Sequence, residues 1–248
     1  MNPSRSARGI RSGAYLLLIA LLGGCSAEAP GSVEIAYPVF GRGVPAEPFT
    51  SGGWRVALTA AEVGFGPAYF CATAAASSDL CPVAVSQFAR AAAINGLDPA
   101  PQPLGEADGE SGTVRSAAYD FAVSWFTTQR SVIPSPRAPR GHSAYFEGTA
   151  VKEGRSVRFT AAVDVVPRFQ DTRAVQGQPV NATLGGEGLD LTVAVNPRDW
   201  WTAVNFDEAL GDAADGAVVE VVPGTRAYEA VVFGMVTARP PMFQWSSR

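Results

Sequence analysis

The chain has 248 residues, only 17% of them charged, and its formal charge of −4 argues against the basic surface that general phosphate-backbone binding requires. Its 26 glycines and 19 prolines suit short strands joined by many turns rather than long exposed helices. With His142 as the sole histidine, the sequence cannot build a histidine-rich zinc site, a two-histidine facial triad or an HExxH protease centre.

At the start, Arg5, Arg8 and Arg11 precede an apolar run over residues 14–22 that is too short to cross a bilayer as a structural helix. Leu22, Gly23, Gly24 and Cys25 follow directly. This order resembles the lipobox of bacterial lipoproteins. The resemblance implies that residues 1–24 are a signal peptide and that Cys25 receives a diacylglycerol and becomes the first mature residue. It also implies that Ser26, standing where an aspartate would signal retention, directs the protein to the outer membrane. Several acyl chains supply the affinity that one does not, at about 0.8 kcal/mol per buried CH₂, so the implied partner of Cys25 is the lipid bilayer. Losing three arginines and no acid would take the charge from −4 to −7 and leave 224 residues, enough for one large β domain or two small ones.

Residues 25–50 read as a tether, with VEIAY at 33–37 either a short edge strand or part of it. Residues 51–248 read as a β-rich soluble domain. WRVALTAAEVGF opens it as a strand with Val56, Leu58 and Ala60 on one side, and GPAYFC brings Cys71 to the sheet. In an oxidising export compartment Cys71 and Cys81 are expected to form a disulfide, whose loop closure stabilises by roughly 3 kcal/mol. The alternative is a copper or zinc site of Cys71, Cys81 and His142, with Met235 or Met242 as a soft additional ligand. PVAVSQFARAAAING predicts a helix over 82–95: Pro82 suits its first turn, Val85, Phe88 and Ala92 share a face, and Asn95-Gly96 stops it. Residues 97–114 read as a proline-rich acidic connection, with a domain boundary as the alternative. Glu106, Asp108 and Glu110 there offer oxygens to calcium, but no twelve-residue EF-hand loop surrounds them.

SAAYDFAVSWFTTQ predicts a strand with Tyr119, Phe121, Val123 and Trp125 alternating. PSPRAPRGH then interrupts pairing. Its prolines stiffen a loop that places Arg137 and Arg140 beside His142, so these three are candidate binding residues, with a plain connector as the alternative. The clearest hairpin covers residues 144–165, turning between Lys152 and Arg155. Residues 167–188 read as loop and LDLTVAV as a strand. Asn196 and Pro197 begin a short helix that carries Trp200 and Trp201, one expected to cover the sheet and the other to face solvent as a candidate recognition surface. Residues 218–222 predict a strand, YEAVVFGMVTA another that bends at Gly234, and the tail an exposed Trp245.

The expected fold is mainly β, an antiparallel sandwich with one or two short helices; an α+β domain is the alternative. No GxSxG elbow or GxxxxGK[ST] loop is present, no cofactor is implied, and Asp207 with Glu208 could support hydrolysis only with a distant partner. The expected function is a membrane-anchored, noncatalytic binding or interaction module facing the periplasm or cell surface, whose partner is an envelope protein or small ligand rather than nucleic acid. A periplasmic copper- or zinc-handling protein and a hydrolase with unidentified carboxylates are the alternatives.

Overall fold

The computed structural model describes residues 31–74, 81, 84–185 and 188–247, so the signal segment and Cys25 lie outside the described residues. From Ser32 onward the chain builds two β-sheets that share one hydrophobic core. The expectation of a mainly β fold with a few short helices holds. Among the described residues no helix is long and apolar enough to cross a membrane.

The larger sheet has eight strands in the order β13, β8, β4, β5, β7, β1, β14, β16. Its members are β1 (Glu34–Arg42), β4 (Ala68–Cys71), β5 (Ala84–Phe88), β7 (Gln102–Glu110), β8 (Gly112–Tyr119), β13 (Val175–Leu184), β14 (Leu189–Ala194) and β16 (Met242–Ser247). All neighbours are antiparallel except β1 and β14. The second sheet orders β15 (Val218–Glu220), β12 (Arg155–Val163), β11 (Ala144–Lys152), β3 (Trp54–Phe65) and β2 (Phe49–Ser51), with β6 (Ala92–Asn95) also paired to β3. A two-stranded ribbon joins β9 (Val123–Ser124) to β10 (Ile133–Pro134). Phe65 of β3 meets Phe88, Tyr119 and Phe243 of the large sheet at ring-centroid distances of 5.9, 5.7 and 5.9 Å, which locks the sheets together.

The predicted hairpin forms as β11 and β12, paired from Ala144↔Val163 to Lys152↔Arg155. Glu153 (φ 53°) and Gly154 (φ 83°) make the turn, with both central residues at the positive φ that a type I′ turn requires. Gly148 is needed here because a Cβ would stand 2.4 Å from the Phe159 ring. Along β3 the alternation changes phase: Glu147 pairs with Ala60 but Gly148 with Leu58, so Thr59 is an extra, bulged residue. The inner face therefore runs Val56, Leu58, then Ala61, Val63 and Phe65, and Ala60 drops out of it.

Six sequence expectations are corrected. Of the helix expected over 82–95, residues 84–95 are not helical: β5 belongs to one sheet and β6 to the other, and the chain crosses between them at residues 89–91. Good helix formers such as alanine yield there because β4 and β7 flank β5 on both sides. Residues 102–110 are likewise a strand and not a surface connection, paired with β1 and β5, so no domain boundary falls at 97–114. Residues 34–42, read as tether or edge, form an interior strand between β7 and β14. Residues 175–184, read as loop, are edge strand β13, whose Pro179 is compatible with an edge position. Finally, the segment expected to continue strands near the C-terminus is helix α3 (Arg226–Phe233) followed by a π-helical turn at Gly234–Ala238. Thr225 caps it by accepting a hydrogen bond from Tyr228 N, and Ala227, Tyr228, Val231 and Met235 bury one helical face. The tail then returns as β16, which leaves Trp245 half-buried and 5.0 Å from Phe70 rather than exposed.

Candidate functional site: an arginine-rimmed cleft

The crossing at residues 89–91 brings Arg90 to the sheet end where Gly41 pairs with Gln102, opposite the end where the chain enters at Glu34 beside Glu110. Two glycines make that crossing possible. Gly66 (φ 90°) lies so close to the Arg90 carbonyl that a Cβ would stand 2.2 Å from its oxygen. Gly105 (φ 139°) lies beneath the Arg90 side chain, where a Cβ would stand 3.1 Å from Cδ. The 135–137 loop forms the facing wall. Ser135 N donates to Ala122 O at 2.8 Å, Ala138 N to Ser135 O at 2.9 Å, and Arg137 N to Ser135 Oγ at 3.2 Å. Buried Ala138 and Pro139 fasten the loop's far side to the body.

Between these walls lies an open cleft of about 910 Å³. Ala91, Ala92, Ala93, Pro103, Leu104 and Pro136 supply its apolar lining, and Arg90 and Arg137 its charge. No carboxylate lines it, and among the described residues neither guanidinium has a salt-bridge partner. In a protein of net negative charge this is a local positive field beside apolar surface. Ser135 is the one hydroxyl among the lining residues.

Of the three loop residues singled out in the sequence, only Arg137 reaches this cleft. Arg140 turns away: its guanidinium lies 3.5 Å from the Tyr145 ring centroid, 3.2 Å from Glu147 Oε1 and 4.0 Å from Glu62 Oε1. His142 is held by Asp164, with Nδ1 at 3.0 Å from Oδ2 and 3.2 Å from Oδ1. Arg90 was missed because it sits in an alanine-rich run that reads as helix.

Trp200 and Trp201 offer no recognition surface, since both are wholly buried. They lie on α1 (Pro197–Trp201), where Trp200 Nε1 donates to Arg239 O at 2.7 Å and Trp201 packs 4.8 Å from Phe159 and 5.6 Å from Phe146. Adjacent helical residues diverge by only about 100°, so one buried face of this short helix takes both rings while Arg198 and Asp199 stay half-buried on the other. Asn196 precedes α1 but makes no side-chain cap, and its Oδ1 is buried without a partner among the described residues.

Cys71 and Cys81 are joined in a disulfide with a Cα–Cα distance of 5.8 Å. That bond consumes both thiolates, and His142 is paired elsewhere, so the three do not form the metal site weighed as an alternative. Met235 is buried and Met242 lies on the edge strand. Glu106, Asp108 and Glu110 share the exposed face of β7, with Glu34 opposite Glu110. Among the described residues, however, no group of three or more acidic, histidine or cysteine side chains is placed to hold a metal ion. Asp207 and Glu208, on α2 (Phe206–Leu210), have separate partners. Asp207 accepts from Lys152 Nζ at 2.6 Å and Trp54 Nε1 at 2.8 Å, and these bonds lower its pKa, the reverse of what a general acid needs. Glu208 lies 3.4 Å from Arg226.

Among the described residues one ion pair is deeply buried, and it was invisible in the sequence. Asp120 is 0% exposed and Arg173 2%. Arg173 Nη1 donates to Asp120 Oδ2 at 2.5 Å, Ser124 Oγ to the same oxygen at 2.9 Å, and Ala174 N to Oδ1 at 2.7 Å. The guanidinium lies 4.9 Å from the Phe126 ring centroid and 5.7 Å from that of Tyr69. Burial raises the Asp120 carboxyl to about 6, against the opposing pull of Arg173 and the hydrogen bonds from Ala174 and Ser124.

No family model matches this chain, and no curated protein matches it in sequence. Among solved structures the chain is similar to MbnP from Methylosinus trichosporium, with 10% sequence identity and a TM-score of 0.38 over 88% of this chain and 99% of that one.

Proposed function

We propose that this chain is an exported envelope lipoprotein, anchored in the outer membrane through Cys25, whose folded body is a noncatalytic binding module with the Arg90–Arg137 cleft as its ligand site. The cleft carries the reading: it combines apolar lining with two guanidinium groups that, among the described residues, have no ion-pair partner, and its one hydroxyl lacks an acid–base partner. The Leu22-Gly23-Gly24-Cys25 order supports export and lipidation, and the Cys71–Cys81 disulfide is in keeping with folding in an oxidising compartment.

Native mass spectrometry of the lipidated protein, extracted gently from envelopes, tests both parts. The expected species carries acyl chains on Cys25 and releases a small molecule on activation, and Cys25→Ala moves from the membrane fraction to the soluble fraction. An unacylated, freely soluble product would overturn the anchoring. A purified protein holding stoichiometric copper or zinc and no other small molecule would replace the binding reading with metal handling.

A further inference from the structure

We infer that the cleft recognises a small organic anion, a carboxylate or phosphate monoester joined to an apolar body. This inference rests on the reading of the cleft as the ligand site and specifies what enters it. Two features of one surface point to the same chemistry. Arg90 and Arg137 come from separate segments, the β5–β6 crossing and the loop after β10, yet line a single cleft with no carboxylate to neutralise them. A guanidinium offers a planar fork of donors matched to carboxylate or phosphate oxygens, and charge-assisted bonds of this kind are about twice as strong as neutral ones. The remaining walls are alkyl groups from Ala91, Ala92, Ala93, Pro103, Leu104 and Pro136, with nothing on them to reward a purely polar ligand.

The cleft is also shaped around its cation. At Gly105 a side chain would press against Arg90 Cδ at 3.1 Å and Nε at 3.5 Å, and at Gly66 it would strike the Arg90 backbone carbonyl. Both glycines have positive φ, so the backbone itself keeps this corner free of side chains and lets the Arg90 stem lie along β7. Among the described residues the guanidinium groups of Arg140, Arg155, Arg173, Arg198 and Arg226 have carboxylate or carbonyl partners; Arg90 and Arg137 have none, like the surface arginines Arg55, Arg115 and Arg158, but only these two line one apolar cleft.

Isothermal titration of the folded protein with inorganic phosphate and with phenyl phosphate tests the inference. Phenyl phosphate is expected to bind one to one and several-fold more tightly than phosphate, because its ring covers the alkyl wall, and added salt should weaken both. Arg90→Gln and Arg137→Gln should each weaken binding about tenfold or more, while Arg158→Gln, on the exposed face of β12, should change nothing. No saturable binding of phenyl phosphate, or equal binding by the two cleft variants, overturns the inference. The broader binding reading fails separately: a native small-molecule adduct that persists in both variants would leave a binding module whose ligand is not held by these arginines.

Discussion

Arg173 and the Arg90–Arg137 pair show one side chain in two opposite settings. Arg173 is sealed between two aromatic rings with its charge met by Asp120, while Arg90 and Arg137 stand at an open rim with no acid nearby. Arg173 precedes β13 of the large sheet, whereas Arg90 lies where the chain crosses between the sheets and Arg137 in the loop after β10. They differ in who supplies the counter-charge: the fold supplies it to Arg173, and the cleft leaves it to be supplied from outside. A buried cation without a partner is strongly destabilising, whereas an exposed one is stabilised by water until a ligand arrives. Substitutions at Arg173 should therefore report on folding, and those at the cleft on binding.

Arg173→Met breaks the comparison most severely. It leaves Asp120 buried without a counter-charge and should lower stability at neutral pH by about 3–5 kcal/mol in urea denaturation. The sign of its pH dependence follows from the raised Asp120 carboxyl. Its folded value, about 6, lies above the ordinary value of 3.8, so the folded state binds the extra proton and this contribution to stability is present at low pH and lost as pH rises through about 6. The Arg173→Met deficit should shrink on acidification, because protonating Asp120 removes the charge that Arg173 offsets, and the paired change Asp120→Asn with Arg173→Met should recover most of it; a deficit that grows on acidification would contradict the stabilisation of the Asp120 carboxylate by Arg173.

The disulfide comes next. Replacing Cys71 and Cys81 together by serine should lower stability by roughly 3 kcal/mol, read as a fall in the melting midpoint. Because both cysteines lie away from the cleft lining, phenyl phosphate affinity of the folded fraction should hold. Gly66→Ala joins the two settings: it forces positive φ on alanine and a Cβ into the Arg90 carbonyl, so it should lose about 1–3 kcal/mol and weaken phenyl phosphate binding as well. Arg140→Gln sharpens the comparison from the other side. Its half-exposed ion pair with Glu147 should contribute no more than about 1 kcal/mol, and its removal should leave binding unchanged, since Arg140 faces Tyr145 and not the cleft.

Legibility followed the way each element is held. The hairpin at 144–163 was readable because its alternation and its glycine turn agree with its pairing. The cysteine pair was readable from compartment and spacing. β5 and β6 were not, because Val85, Phe88 and Ala92 fit a helical period while the flanking strands impose an extended one. β7 was hidden by its prolines, glycines and acids, which strand propensity disfavours and pairing on two sides overrides. At the site, the proline-stiffened loop revealed Arg137. Nothing local distinguished it from Arg140 and His142, whose partners Glu147 and Asp164 come from other parts of the chain. Arg90 and the Asp120–Arg173 pair depend on contacts between distant segments, which no spacing along the chain encodes.

The most direct test of the cleft as the working surface is a backbone amide NMR titration of the isotopically labelled protein with phenyl phosphate. Saturable shifts confined to residues 90–93, 104–105, 135 and 137, absent in Arg90→Gln, are the expected result. Shifts centred on Lys152, Arg155 or Arg140 with the cleft amides unmoved, or no saturable shift at all, would contradict it.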